Sequence, residues 1–123
     1  MAIKSGNILQ CKVGTLARTD TANKALFALP ANAMVIGVRA FGPNSDSATS
    51  ATLTLQAVPT AGGTAATFAT VDAKATAASK NDPASMAGIA YDRQSTPVYV
   101  FGAYSEVGAA ATGGAWTVVV EYL

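Results

Sequence analysis

The chain contains no histidine, a single cysteine and only 12% charged residues. Each shortage removes a class of chemistry. Without histidine there is no imidazole to activate a serine or cysteine nucleophile at neutral pH. One thiol cannot close an internal disulfide, and zinc sites want clustered cysteine or histidine at short spacing. No stretch approaches the ~18 apolar residues that cross a bilayer as a helix. Met1 to Gly6 has no apolar core segment of the secretory kind, so the chain is expected to be made and used in the cytoplasm. Net charge is +1, and Lys4, Lys12, Arg18, Lys24 and Arg39 thin out along the first third without forming a stripe. Nucleic-acid binding through phosphate neutralisation needs a clustered basic face, which this order of residues does not supply.

What is present is small and apolar. The 123 residues are 50% hydrophobic, with alanine and threonine abundant and large apolar side chains modest in number. That length accommodates one domain, because domains cluster near ~100–150 residues. Small side chains cost little to order and let backbones or flat surfaces approach closely. A surface with so few charges offers little opposition to association, so it suits packing against another protein.

The pattern of apolar residues is that of strands. Thr52 to Val58 alternates, with Leu53, Leu55 and Ala57 on one face and Thr52, Thr54 and Gln56 on the other. Met34 to Phe41 alternates too. There Met34, Ile36, Val38 and Ala40 are expected inward, with Val35, Gly37, Arg39 and Phe41 on the wet face that Arg39 marks. Ile8 to Thr15 reads as a first strand, with Cys11, Leu9 and Val13 on one face and Cys11 taken as a buried small hydrophobe. Leu26 to Leu29 is a short strand stopped by Pro30, which has no N–H for a ladder, and Pro30 to Ala33 turns the chain. Gly42 to Ser47 is a dense run of turn formers and is expected to be an exposed loop tip. Ala65 to Val71 is a weaker strand carrying Phe68. Pro97 to Tyr104 has apolar residues on both faces, as a strand covered on both sides would. Trp116, Val118, Val120 and Tyr122 alternate with Thr117, Val119, Glu121 and Leu123 in the closing strand. Between Asp72 and Gln94 the reading stays open: Ala73 to Lys80 could form two helical turns or a loop. Turn signals every ~8–12 residues and seven or eight strands indicate an all-β, antiparallel sandwich or jelly roll over residues 8–123, with a flexible arm over residues 1–7.

Routes to catalysis lack parts. Ser5 beside Lys4 and Ser79 beside Lys80 are adjacent pairs, which a strand would send to opposite faces. Glu106 and Glu121 could be neighbours across the final hairpin, as glycosidase carboxylates are, but read as two solvated acids on an outer face. Gly62-Gly63 and Gly113-Gly114 lack the lysine and hydroxyl of a phosphate loop and read as turns. The acids from Asp72 to Asp92 lack EF-hand spacing. Trp116, Tyr91, Tyr99, Tyr104 and Tyr122 could line a sugar platform, although Trp116 and Tyr122 share a face with Val118 and Val120 and so read as core. No cofactor, metal site or enzymatic activity is expected.

Phe27-Ala-Leu-Pro-Ala-Asn-Ala-Met-Val-Ile-Gly-Val-Arg-Ala-Phe41, followed by Ser50-Ala-Thr-Leu-Thr-Leu55, resembles a pattern in small virion proteins of tailed bacteriophages. In these a leucine-proline-alanine turn leads to an apolar strand, a polar loop and a strand of alternating threonine and leucine. Thr112 to Leu123 resembles their closing strand, and Ala66 to Ala73 fits more loosely. The resemblance implies a jelly-roll capsid decoration, or cement, protein: a homo-oligomer, a trimer in the usual case, seated on the major capsid protein at the virion surface and assembled in the bacterial cytoplasm. No nucleic-acid or membrane partner is expected, given the scattered basic residues and the lack of a long apolar stretch. Contact residues are then expected among Ile3, Lys4, Arg18 and Lys24, with Ile3 as the anchor of the arm. The competing expectations are a tail or fibre component that binds the host surface, and a small carbohydrate-binding module.

Overall fold

Proline, glycine and asparagine punctuate the sequence often enough that its extended segments stay short and must pair with distant ones. In a computed structural model, which describes residues 9–47, 49–59, 65–74, 79–81 and 95–123, eight strands result. They are β1 (Gln10–Leu16), β2 (Lys24–Leu29), β3 (Val35–Phe41), β4 (Ser50–Pro59), β5 (Ala66–Asp72), β6 (Ser79–Asn81), β7 (Val98–Val107) and β8 (Trp116–Tyr122). The first sheet has the order β1-β8-β3-β6 and the second β2-β7-β4-β5, with every pairing antiparallel. First pairs with last, second with seventh, third with sixth and fourth with fifth. That nesting is a long hairpin wrapped upon itself, the double Greek key of a jelly roll. The expected all-β sandwich is therefore the observed fold.

The core lies between the sheets. The closing strand behaves as its alternation requires, with Trp116, Val118, Val120 and Tyr122 all buried. Leu53, Leu55 and Ala57 of β4 meet them from the other sheet, also buried. Gly102 of β7 lies in a crowded part of the core. A Cβ there would lie 2.8 Å from Leu16 Cδ1 and 2.9 Å from Leu26 Cδ1, so three apolar side chains occupy the space a larger residue would need.

Three bulges correct the strands where strict alternation would fail. In β2 the extra residue is Leu26, between Ala25 and Phe27, so Leu26 and Phe27 both pack against the core. In β5 it is Phe68, and both Phe68 and Ala69 are buried. In β3 it is Ile36: Val35 pairs with Tyr122 and Gly37 with Glu121, leaving Ile36 unpaired. A bulge sets two residues against one and shifts every earlier side chain to the opposite face. Val35 is thus the core residue, 1% exposed, and Ile36 is turned out, 41% exposed. The expectation that Ile36 points inward and Val35 outward is reversed for this reason. Val38 and Ala40, beyond the bulge, are buried as expected.

Other expectations shift as well. Pro30 ends β2 and the turn closes through Ala33 N–H to the Pro30 carbonyl, with Asn32 at φ 65°. Where it is described, the Ala73–Lys80 stretch is a turn at Ala73 and Lys74 and strand from Ser79, where β6 pairs Ser79 with Phe41 and Lys80 with Ala40. Residues 75–78 and 82–94 lie outside the described residues, as does the arm. β7 is covered on one side only: Val98, Val100 and Tyr104 are buried, whereas Tyr99 is 49% exposed on the outward face.

Unfolding in urea checks the β3 bulge. Val35→Ala removes buried methyl groups and is expected to cost about 2 kcal/mol. Ile36→Ala is expected to stay within about 0.5 kcal/mol, as surface substitutions do.

Candidate interaction surfaces

The outward face of the first sheet carries an exposed apolar surface near the start of the described chain. Leu9 and Val13 are 53% and 56% exposed, Cys11 is exposed between them, and Phe41 is 41% exposed. Leu9, Gln10, Cys11, Arg39, Phe41, Val119 and Glu121 line an open groove of about 430 Å³. Arg39 and Glu121 form an ion pair across it. Leu9, Cys11 and Val13 do share a face, but not the core face. Their partners Glu121 and Val119 belong to the outward set of β8, so β1 buries only its far end, at Leu16. The expectation of a buried Cys11 is corrected accordingly.

Glu106 and Glu121 do not meet. β7 and β8 lie in different sheets, so no hairpin brings these acids together. Glu121 pairs with Arg39, and Glu106 accepts from the Tyr104 hydroxyl at 2.9 Å and the Ala111 N–H at 2.9 Å. A glycosidase pair is not assembled. Nor is the aromatic platform: Trp116, Tyr104 and Tyr122 are buried, Tyr99 is exposed, and Tyr91 lies outside the described residues.

One end of the sandwich is tied by polar groups rather than by apolar contact. Gly42–Ser47 was expected to be an exposed tip, yet Ser45 and Ser47 are buried. Ser45 donates its N–H to the Ala73 carbonyl at 2.8 Å and shares a hydrogen bond of 2.8 Å with the Tyr104 hydroxyl. Ser47 Oγ donates to the Ser50 carbonyl at 2.9 Å, and the Lys74 ammonium caps the Ser47 carbonyl. Burial pushes the Tyr104 phenol above its ordinary range, against the Ser45 hydrogen bond. Tyr104 stacks on Trp116 with ring centroids 4.9 Å apart, and Trp116 Nε1–H reaches the Pro43 carbonyl at 2.8 Å. Gly114, at φ +108°, admits this packing, because a Cβ there would strike the indole at 2.5 Å.

Outside this buried layer Asp46 joins the β3–β4 loop to the β7–β8 loop. Its carboxylate accepts from Thr112 N–H at 2.7 Å, from the Thr112 hydroxyl, and from Gly113 N–H at 3.4 Å. Those bonds, the Thr112 hydroxyl first, hold its carboxyl at about 2 rather than 3.8.

Of the contact residues expected from the sequence, Ile3 and Lys4 lie outside the described residues. Arg18 and Lys24 stand exposed at the ends of the β1–β2 loop. Lys24 Nζ donates to the Thr15 carbonyl at 3.0 Å and pairs with Asp20 at 3.5 Å. The structure does not bring Arg18 and Lys24 into contact with the groove beside Cys11. Sequence reasoning missed that groove because Cys11, which shares a face with Leu9 and Val13, was taken as buried.

No family model matches this sequence, and no curated protein matches it. Solved structures do resemble it. A chain in the capsid asymmetric unit of cyanophage Pam1 superimposes with a TM-score of 0.64 at 21% identity, over 99% of this chain and 89% of that one. A chain in the acid-stable capsid of Helicobacter pylori bacteriophage KHP30 gives 0.59 at 19%, over 95% and 88%. One in the capsid of Ralstonia phage GP4 gives 0.57 at 13%, over 100% and 88%. The shared property is the fold.

The Asp46 clasp makes a pH prediction. Its folded value lies below 3.8, so its contribution is complete above that pH and is lost as pH falls toward 2. Between pH 5 and 2 the Tm of the natural chain should therefore fall more steeply than that of Asp46→Ala, measured by circular dichroism.

Proposed function

We propose that this chain is a structural protein of a bacteriophage virion that decorates and stabilises the capsid by binding the lattice of the major capsid protein. The supporting observation is that jelly-roll chains in three phage capsid structures match it over nearly its whole length, and it over nearly theirs. A protein of this kind needs complementary area rather than a reacting group, and the described surface offers apolar grooves without an assembled catalytic pair. It acts as a homotrimer in this reading. Its low charge leaves little repulsion between copies. Arg18 is the described side chain assigned to the lattice, since Lys24 is already engaged by Asp20 and the Thr15 carbonyl.

The test uses heads of the phage whose genome carries the gene, purified from particles lacking this protein. The full-length chain is expected to co-sediment with them saturably, to raise the temperature at which they release DNA, and to bind more weakly as Arg18→Glu. Absence of binding to the head lattice overturns the reading. Binding to tails or to host-surface glycans instead overturns it in favour of a host-recognition component.

A further inference from the structure

Among the described residues the sandwich has four edge strands, and three of them are blunted. β6 is three residues long. β2 and β5 each carry a bulge, at Leu26 and Phe68, and a bulge twists an edge away from a flat partner. β1 has neither defence. Its seven residues hold an unbroken register against β8 and include no proline. Within a strand, the N–H and C=O of one residue point to the same neighbour, and the direction alternates along the chain. The Thr15 carbonyl accepts Lys24 Nζ at 3.0 Å, away from β8, so Thr15 faces the edge, as do Val13, Cys11 and, one residue before the strand, Leu9. Independently, Met34 and Leu123 exchange both backbone bonds, at 3.1 and 3.0 Å, which turns Leu123 toward β3. Tyr122 and Val120 then turn toward β1, where they meet Gln10 and Lys12 and leave Leu9, Cys11 and Val13 to the edge. Lys24 covers Thr15, so among the described residues the uncovered stretch is Leu9 to Val13, centred on Cys11.

We infer that a second copy of this chain adds its own β1 antiparallel to this edge, about a two-fold axis at Cys11, so that two four-stranded sheets become one. A like edge closes the assembly at two copies, whereas β1 laid on an unlike edge would extend into a filament. The axis at Cys11 engages the whole uncovered stretch. Leu9 pairs with Val13 of the second copy, and Cys11 with its own counterpart, all of them residues whose main-chain groups face outward. Lys12 then stands opposite Gln10 of the second copy, and Gln10 Oε1, which accepts the Tyr122 hydroxyl at 3.2 Å, keeps a further lone pair for an ammonium group. An axis at Lys12 would match the main chain equally but sets two ammonium groups directly opposite each other, which opposes pairing. An axis at Val13 requires Cys11 to pair with Thr15, whose carbonyl Lys24 already occupies. The side chains agree with the Cys11 axis. Leu9, Cys11 and Val13 stand exposed on the outward face, so the two grooves of about 430 Å³ meet at the axis and Leu9 and Val13 cover each other. The Arg39–Glu121 pair leaves those grooves without an unpaired charge. The contact does not rest on the capsid role proposed above, and it leaves the other faces of the sandwich to a three-fold contact.

Cys11 is the one thiol of the 123-residue chain, so cross-linking by bis-maleimidoethane reads the contact without any substitution. Hydrogen-bonded antiparallel partners lie about 5.5 Å apart at Cα, within the reach of that reagent. A covalent dimer is expected, in a yield that rises with chain concentration. Val13→Pro removes an outward N–H from each copy, which an edge strand tolerates, and should lower the yield at least about tenfold. Moving the thiol reads the register. Chains carrying Cys11→Ser/Leu9→Cys, mixed with chains carrying Cys11→Ser/Val13→Cys, should cross-link faster than either does alone. If Val13→Pro loses the near-ultraviolet signal of Trp116, this mixture decides by itself. No covalent dimer at millimolar chain overturns the inference, and is the result expected if the edge is covered within one chain. A yield unchanged in a folded Val13→Pro variant also overturns it, as does faster joining of the Val13→Cys chains to one another than to the Leu9→Cys chains.

Discussion

The inner layer between two sheets is about 10 Å thick, and each strand must deliver its large side chains to that layer alone. Everything else in this molecule follows from how the requirement is met with a sequence rich in alanine. β8 meets it by unbroken alternation from Trp116 to Tyr122, held between β1 and β3. β2, β3 and β5 cannot, and each carries one inserted residue that resets the phase. Two of those insertions gain core contact, placing Leu26 beside Phe27 and Phe68 beside Ala69. The third gives up Ile36 to solvent in order to bury Val35. Gly102 contributes by absence, leaving room where side chains from both sheets converge.

The two ends of the sandwich are finished differently. At the Trp116 end, polar groups that a loop would ordinarily expose are drawn inward and matched: Ser45 with Tyr104 and Ala73, Ser47 with Ser50, Glu106 with Tyr104 and Ala111. Buried polar groups that are fully partnered give a single geometry rather than extra stability for its own sake. The indole, stacked on Tyr104 and bonded to the Pro43 carbonyl, joins the β3–β4 loop to the core. Asp46 then fastens the β7–β8 loop over it. A cross-linked rim results, in contrast with the outward sheet faces, where Phe41, Tyr99 and Val13 remain uncovered.

Legibility in the sequence followed locality. The phase of Thr52–Val58 and of Trp116–Tyr122, the stop at Pro30 and the number of strands are written in neighbouring residues, and each reappears in the structure. Ile36 was misplaced because a bulge depends on the partner strand, and nothing in Val35-Ile36-Gly37 announces the phase change. Cys11 was misplaced for a related reason. Alternation tells which residues share a face, but only the position of β1 at the sheet edge tells which face is dry. Glu106 and Glu121 looked like hairpin neighbours because their separation is short, yet their strands belong to opposite sheets. Ser45 and Ser47 sit in a run with every mark of an exposed turn. Their burial is decided by Tyr104 and Ala73, far away in sequence. The fold was therefore readable, whereas the apolar groove of the first sheet required the assembled topology.

The nested pairing also dictates an order of events when the chain is made. β8 follows the seven other described strands along the chain, yet it occupies the interior of its sheet and pairs with β1 and β3 alike. Until it emerges, those two strands have no common neighbour, and among the described strands only β4 and β5 can close on a partner adjacent in the chain. Loop closure over such long separations is slow, and strands waiting for it are exposed to foreign pairing. Loss of β8 would thus remove the keystone of one sheet rather than trim its margin.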